Sequence, residues 1–115
     1  MLVKELNINQ DMPPCDVAVA KMELEIEALS KSEYGVIKVI HGYGSHGTGG
    51  MIRTECRLRL AQLKKQNKIL DFVEGERWGK WAIENFNVVQ NYPSLILESD
   101  MQTYNRGVTI VFLKH

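Results

Sequence analysis

Cysteine is scarce in this chain, which contains only Cys15 and Cys56. The two lie far apart, and neither belongs to a C-x-x-C pair or has a histidine at the spacing that zinc sites use. These absences argue against a disulfide framework and against a structural zinc site. Because free cysteine behaves as a small apolar residue, both side chains are expected in the core.

Long apolar runs are also absent. No segment approaches the roughly 18 consecutive apolar residues that a membrane-spanning helix needs. The first residues lack the basic head and apolar block of a signal peptide. The sequence therefore predicts a protein without a membrane partner and with a cytoplasmic location. Its 115 residues, 44% apolar and 24% charged, suit one globular domain over 1–115.

An excess of one charge is missing as well, because Lys plus Arg and Asp plus Glu both number 14. That balance argues against a uniformly basic nucleic-acid binder. The average conceals a partition along the chain. Residues 1–34 carry three basic and seven acidic side chains, residues 35–68 carry seven and one, and residues 69–115 carry four and six. The middle segment, at +6, is where an anionic polymer is expected to bind.

A β-branched run and a glycine-rich loop lie inside this middle segment. Residues 36–40 (Val-Ile-Lys-Val-Ile) predict a buried strand, and Lys38 is expected at a sheet edge or with its ammonium group reaching solvent. Five glycines then fall within nine positions, where they permit positive φ and close approach of another molecule. The helix that follows offers unpaired N–H groups and the positive end of its dipole, which favour a phosphate. The candidate contacts in this loop are Gly42, Tyr43, Gly44, Ser45, Gly47, Gly49 and Gly50.

The periodicity of apolar residues predicts the other elements. Strands are predicted over 2–8, 36–40, 69–74 and 108–113, with helices from the Pro13-Pro14 pair to about residue 31 and from Met51 to about residue 65. Residues 81–91 fit either a short helix or a strand at 86–90, and residues 94–106 are predicted to form a long loop. The predicted fold is α/β: a single two-layer domain with two main helices and about four strands, mostly parallel or mixed, with the last strand antiparallel.

Both main helices carry apolar stripes at helical spacing. The first has one stripe formed by Val17, Ala20, Leu24 and Ala28 and a second, wider one formed by Ala18, Met22 and Leu29. The core stripe of the second helix is Ile52, Cys56, Leu60 and Leu63, and the basic ridge beside it is Arg53, Arg57 and Lys64. A charged helix face is often only a solvated surface. This one begins at the glycine loop, which favours phosphate binding.

Two further nucleotide motifs can be set aside. Residues 42–47 match G-x-G-x-x-G between a strand and a helix, but the chain is too short for paired mononucleotide-binding halves. No G-x-x-x-x-G-K-[ST] motif is present. Carboxylates, imidazoles and thiols do not cluster at ligand spacing, so no metal site and no cofactor are expected.

Histidine and tryptophan supply the remaining candidates. His41 directly precedes the loop, where its imidazole could bind a phosphate or exchange a proton near neutral pH, or could tie the loop to the backbone. Trp78 and Trp81 could stack on nucleic-acid bases or anchor the core. Tyr43, inside the loop, is the better stacking candidate.

These residues carry a resemblance to a known family. The segment from Val36 to Arg53, with His41-Gly42-Tyr43-Gly44 at its centre, resembles the H-G-x-G signature of the small MutS-related (Smr) domain. Residues 107–113 (Gly-Val-Thr-Ile-Val-Phe-Leu) resemble that family's closing G-x-T-x-V-x-L strand. The resemblance implies a fold similar to the C-terminal domain of translation initiation factor 3, nucleic-acid binding and, in some members, DNA nicking or RNA cleavage.

The first strand departs from the family pattern. Smr domains carry L-D-x-H-G there, whereas the matching residues are Leu6-Asn7-Ile8-Asn9-Gln10. Asn7 replaces the carboxylate and Asn9 the histidine, and neither asparagine can act as a general base near neutral pH. The glycine loop is also longer than the family's H-G-x-G-x-G.

The sequence therefore predicts a divergent Smr-like domain that binds DNA or RNA through the glycine loop and the basic helix, with His41 contacting or ordering the backbone. One alternative is a nicking endonuclease or ribonuclease that uses His41 as acid or base, in which a divalent metal could take part. Another is a protein-interaction module with an apolar patch along residues 78–97. The choice between DNA and RNA and the oligomeric state stay open.

Overall fold

The computed structural model describes residues 2–11, 13–42, 49–97 and 106–115. In chain order its elements are β1 (Leu2–Asn7), α1 (Cys15–Leu29), β2 (Tyr34–Ile40), α2 (Gly49–Lys65), β3 (Ile69–Glu74), α3 (Trp78–Glu84), α4 (Phe86–Val89), α5 (Pro93–Leu97) and β4 (Val108–Leu113). A 3₁₀ turn, Gly75–Arg77, joins β3 to α3. The predicted strands and both main helices are thus present, close to their predicted bounds.

The four strands form one sheet in the order β1-β2-β4-β3. β1 and β2 are parallel, and β4 lies antiparallel between β2 and β3. This confirms the α/β class, the mixed sheet and the antiparallel last strand. It also means that β1, β2 and β3 end at the same edge of the sheet, where β4 begins.

One face of the sheet is covered by α1 and α2. The predicted core stripe of α2 is confirmed, because Ile52, Cys56, Leu60 and Leu63 are all buried. On α1 the core-facing stripe is the one that contains Ala18 and Met22, whereas Val17 and Leu24 are 52% and 65% exposed. A helix turns by about 100° per residue, so the stripe that starts one residue earlier faces outward.

The other face of the sheet is covered by the segment that follows β3. Trp78, Val89, Tyr92 and Leu95 pack there against strand residues that include Val36, Ile110 and Phe112. The expected two-layer arrangement is therefore corrected to three layers, with helices on both faces. Every residue of β4 is buried, as expected for a strand covered on two sides.

The segment after β3, for which the sequence fitted either a helix or a strand, is helical. α3 and α4 cover most of residues 81–91, so the alternative of a strand at 86–90 is wrong. α5 occupies the start of the region expected to be a loop, and residues 98–105 lie outside the described part of the chain. Short apolar runs do not distinguish a buried helix from a strand, which explains the ambiguity.

Lys38 lies in the interior of the sheet and not at an edge, because β2 is flanked by β1 and β4. Its side chain is only 4% exposed, and its Nζ lies 4.0 Å from Glu5 Oε2. Glu5 is the residue that faces Lys38 in the β1–β2 register. The expectation of an edge position is therefore wrong, because β2 is an interior strand. The acidic side chain next to this buried lysine comes from β1.

Candidate functional site

The predicted loop and helix lie at the edge where the parallel strands end. Asn7 pairs with Ile40 at the ends of β1 and β2, so His41 and Gly42 leave the sheet beside Asn9. In open α/β sheets ligands bind at this edge. The structure thus brings together the first-strand positions and the H-G pair that the sequence singled out.

Tyr43, Gly44, Ser45 and Gly47, which were predicted to contact phosphate, fall outside the described residues, as does His46. Gly49 and Gly50 form the first turn of α2. The first N–H groups of a helix have no acceptor inside the helix, so this turn keeps the donors on which the phosphate prediction depends.

His41 is fully buried and hydrogen-bonded at both ring nitrogens. Nδ1 lies 2.7 Å from the carbonyl oxygen of Gly42, and Nε2 lies 2.8 Å from Thr109 Oγ1. A carbonyl can only accept, so Nδ1 carries the proton and Nε2 accepts from the threonine hydroxyl. The imidazole therefore holds one tautomer and has no nitrogen left for a ligand.

The charge state of His41 agrees with this arrangement. Burial, assisted by the charges of Arg57 and Arg53, lowers the pKa of His41 from 6.5 to about 4, although the bond to Gly42 opposes the shift. The ring is therefore neutral near neutral pH. The buried, neutral ring and its contacts are those expected if His41 ties the loop to the backbone.

The backbone around His41 is fixed in the same way. The amides of His41 and Gly42 both donate to the carbonyl oxygen of Gly107, at 3.0 and 3.1 Å. Gly42 has φ +73°, and a Cβ there would lie 2.6 Å from Asn9 Nδ2. Glycine is required at this position because a side chain would combine an unfavourable φ with a clash. The start of the glycine loop is therefore held by hydrogen bonds to Gly107, the residue before β4.

Arg57 is used inside the protein. Its guanidinium group donates to both carboxylate oxygens of Glu76, at 2.9 and 2.8 Å, and to Glu74 at 3.3 Å. Nε donates to Thr109 Oγ1 at 3.0 Å, and Nη2 donates to the Val108 carbonyl at 3.2 Å. Such bidentate pairing satisfies an arginine within the chain. Arg57, which was predicted to neutralise a phosphate, is thus placed in contacts within the chain.

Four side chains therefore form one polar network, which we call the histidine network: His41, Thr109, Arg57 and Glu76. Burial is the largest single influence on the pKa of Glu76 and raises it. The hydrogen bonds and charge of Arg57, a backbone hydrogen bond and the charge of Arg53 together outweigh burial, so the pKa is lowered. The sequence did not reveal Thr109 or Glu76 as partners. A signal existed, since Glu74 ends β3 and Glu76 lies two residues further on, and β3 ends at the same edge of the sheet as β2.

Arg53 and Arg106 line an open pocket of about 500 Å³, whose lining also includes Arg57 and Glu76 of the histidine network and Glu74. Arg53 lies in the second turn of α2 and is half-buried, and Arg106 lies two residues before the start of β4 and is exposed. Among the described residues Arg53 forms no ion pair. Arg53 is therefore the member of the predicted basic ridge that remains available at the start of α2.

The rest of the basic segment is largely neutralised by acids from other parts of the chain. Lys64 lies 3.0 Å from Asp71, and Arg59 pairs with Glu23. With Lys38 and Arg57, four of the seven basic side chains in residues 35–68 form ion pairs among the described residues. Lys64 also lines a different pocket from Arg53. The +6 segment is therefore not a continuous basic surface.

The two tryptophans pack on the face of the sheet that is covered by the segment after β3. Trp78 is 3% exposed and stacks on Trp81 with ring centroids 5.7 Å apart. Trp81 in turn stacks on Phe112 at 5.1 Å. Trp78 is thus a core anchor, as one interpretation held, and Trp81 is half-buried next to it.

Comparison of the chain with family models and with curated proteins gives no match. Within residues 2–11, 13–42, 49–97 and 106–115, no three His, Cys, Asp or Glu side chains come together as metal ligands. Over the same ranges, no helix has the length and apolar character needed to cross a bilayer.

Proposed function

We propose that the protein is a divergent Smr-like domain that binds the sugar-phosphate backbone of DNA or RNA at the edge formed by Gly42, the first turn of α2, Arg53 and Arg106. The supporting observation is the position of Arg53 and Arg106 on one open pocket at the start of α2. We call this surface the arginine edge.

The arginine edge combines the two kinds of group that bind phosphate oxygens. Arg53 and Arg106 supply positive charge with planar N–H donors, which match phosphate geometry. Gly49 and Gly50 supply backbone N–H groups at the positive end of the α2 dipole. Contacts of this kind position a nucleic acid without reading its sequence.

The proposal is for binding and not for cleavage. His41 is neutral and buried, and both its ring nitrogens are engaged. Asn7 and Asn9 occupy the positions where the family carries a carboxylate and a histidine, and the backbone N–H of Asn9 donates to Asn7 Oδ1. We therefore assign His41 to holding the Gly42 turn from which the loop begins.

Titration of labelled DNA and RNA duplexes at several salt concentrations tests the proposal. The double variant Arg53→Ala with Arg106→Ala removes two cations from the arginine edge. The control, Lys65→Ala with Lys68→Ala, removes two exposed cations, one at the last residue of α2 and one in the turn that follows it. Each lost duplex phosphate contact lowers the slope of log affinity against log salt by about 0.9. We expect the edge variant to lose about two units of slope and the control to lose none.

Equal affinities and salt slopes for the two double variants would contradict the proposal. So would cleavage of supercoiled plasmid or structured RNA by the purified protein, with or without a divalent metal, because binding alone is proposed. The DNA and RNA arms of the titration separate the two nucleic acids.

A further inference from the structure

The outer faces of α1 and α2 form a second open surface. Unlike the arginine edge, it is lined by apolar and acidic side chains. A groove of about 740 Å³ runs between the two helices. Its apolar lining is Cys15, Val19, Ala20, Leu24 and Met51. Leu24 and Met51 are 65% and 61% exposed, although both are large apolar side chains. We call this surface the helix groove.

Carboxylates surround these apolar side chains. Asp16, Glu23, Glu27 and Glu55 line the helix groove, and no lysine or arginine of the described residues does so. Glu23 is neutralised by Arg59. Asp16, Glu27 and Glu55 form no ion pair within the described ranges. A ligand for this surface must therefore be apolar at its centre and positively charged at its margins.

The helical backbone of α1 and α2 restricts the ligands that can bind in the helix groove. Its lining residues lie on α1 and α2, whose backbone groups are bonded within each helix apart from the helix ends. An extended peptide would therefore find no free strand edge to pair with. A helical segment, whose own backbone is satisfied, can dock through side chains alone.

We propose that the helix groove binds a basic amphipathic helix of a partner protein. Apolar side chains at helical spacing contact Leu24, Val19 and Met51, and flanking lysines or arginines pair with Asp16, Glu27 and Glu55. The unbranched side chain of Met51 adapts to different apolar partners. The helix groove meets the arginine edge at the first turn of α2, which contains Met51, but neither Arg53 nor Arg106 lines it, so variants of the two surfaces test the two proposals separately.

A model peptide provides the test. The probe is a fluorescent peptide of leucine and lysine, about 18 residues or five turns long, with leucine at positions i, i+3, i+4 and i+7. The matched peptide carries glutamate in place of every lysine. We expect the lysine peptide to bind the full chain with one-to-one stoichiometry in fluorescence anisotropy, and the glutamate peptide not to bind.

Two matched variants locate the site. Leu24→Asp places a charge in the groove, whereas Leu70→Asp makes the same change at a 59% exposed leucine on β3. Both positions are already exposed, so both variants are expected to fold, which circular dichroism checks. We expect Leu24→Asp to weaken binding at least about tenfold, the effect of losing one buried leucine contact. Leu70→Asp is expected to leave binding unchanged.

Cys15 supplies an independent reading of the same site. It lines the groove, whereas Cys56 is buried and burial raises its pKa to about 12, so maleimide labelling of the folded protein reports Cys15. We expect the bound lysine peptide to slow this labelling severalfold.

The proposal is overturned if the lysine peptide does not bind, if both peptides bind equally, if Leu24→Asp and Leu70→Asp behave alike, or if Cys15 labelling is unaffected. Sedimentation adds one more outcome. A concentration-dependent dimer that Leu24→Asp dissolves would assign the groove to a second copy of this chain and overturn the proposal.

Discussion

The histidine network and the arginine edge lie side by side and contain the same type of residue, yet they use it in opposite ways. Arg57 donates to Glu74, Glu76, Thr109 and the backbone, whereas Arg53, one helical turn earlier, forms no ion pair among the described residues. The first arginine contributes to folding. The second remains at the surface beside an open pocket.

The difference shows that helical spacing does not decide which cation is available to a ligand. What decides is the element that each side chain meets. Arg57 faces the end of β3 and the start of β4, where Glu74 and Thr109 pair across the strands, and the turn after β3 adds Glu76. Substitutions should therefore separate the two regions, because those in the network cost stability and those at the edge cost binding.

The largest expected effect comes from Arg57→Ala. The change leaves Glu76, only 16% exposed, without its cation and removes a donor from Thr109. We expect a loss of about 3 kcal/mol in the free energy of unfolding, the low end for a broken buried pair because solvent still reaches it. Arg53→Ala should cost less than about 0.5 kcal/mol. Urea denaturation measures both, and equal values would remove the distinction between the two arginines.

The pH dependence of stability tests the histidine network next. The folded pKa of His41 is about 4, below the ordinary 6.5, so the unfolded chain binds a proton that the folded chain does not. The contribution is fully present above about pH 6.5 and is lost as the pH falls towards about 4, with about 2 kcal/mol gone at about pH 5. His41→Asn, which cannot titrate, should lack this component. Parallel urea-denaturation profiles for the wild type and His41→Asn would contradict the assignment.

Thr109→Val is expected to have a somewhat smaller effect. It keeps the shape of the side chain but removes the hydroxyl that donates to His41 Nε2 and accepts from Arg57 Nε. Leaving these buried groups unpaired should cost about 1.5 kcal/mol. Thr54→Val is the control, because the Thr54 hydroxyl bonds to the Gly50 carbonyl on an exposed helix face. If Thr54→Val lowered the free energy of unfolding as much as Thr109→Val, the loss at Thr109 would not come from the hydrogen bonds of the histidine network.

The smallest expected effects concern two glycines and have opposite signs. Gly42→Ala meets both a φ of +73° and the Asn9 amide at 2.6 Å, so we expect a loss of about 1 kcal/mol. Gly79→Ala lies in α3 with open space around its Cβ, so it should stabilise by about 0.5–1 kcal/mol. Thermal melts of both variants give the signs, and a stabilising Gly42→Ala would show that the turn is not fixed as described.

Much of the fold could be predicted from local patterns. The β-branched runs of β2 and β4 and the stripe of α2 were each recognisable because their apolar residues recur with one clear period. The segment after β3 was not, since Ile83, Phe86 and Val88 are apolar yet exposed, which obscures the period of α3 and α4. The third layer was missed for the same reason.

The candidate site was predictable only in position. The strand that ends at His41-Gly42, followed by glycines and a helix, located the edge correctly. Whether each side chain is bound within the chain or available to a ligand depends on partners distant in sequence. Thr109 lies 68 residues from His41, and Glu76 lies 19 residues from Arg57. Spacing within one helix carries no information about such partners.

The most direct test of the central claim is to map backbone amide shifts in the nuclear magnetic resonance spectrum while a short nucleic-acid duplex is added. We expect the largest changes at Gly42, in the first two turns of α2 through Arg53, and at residues 106–107, with the amides of α1 unchanged. Shift changes on α1, or none at the arginine edge, would contradict the account.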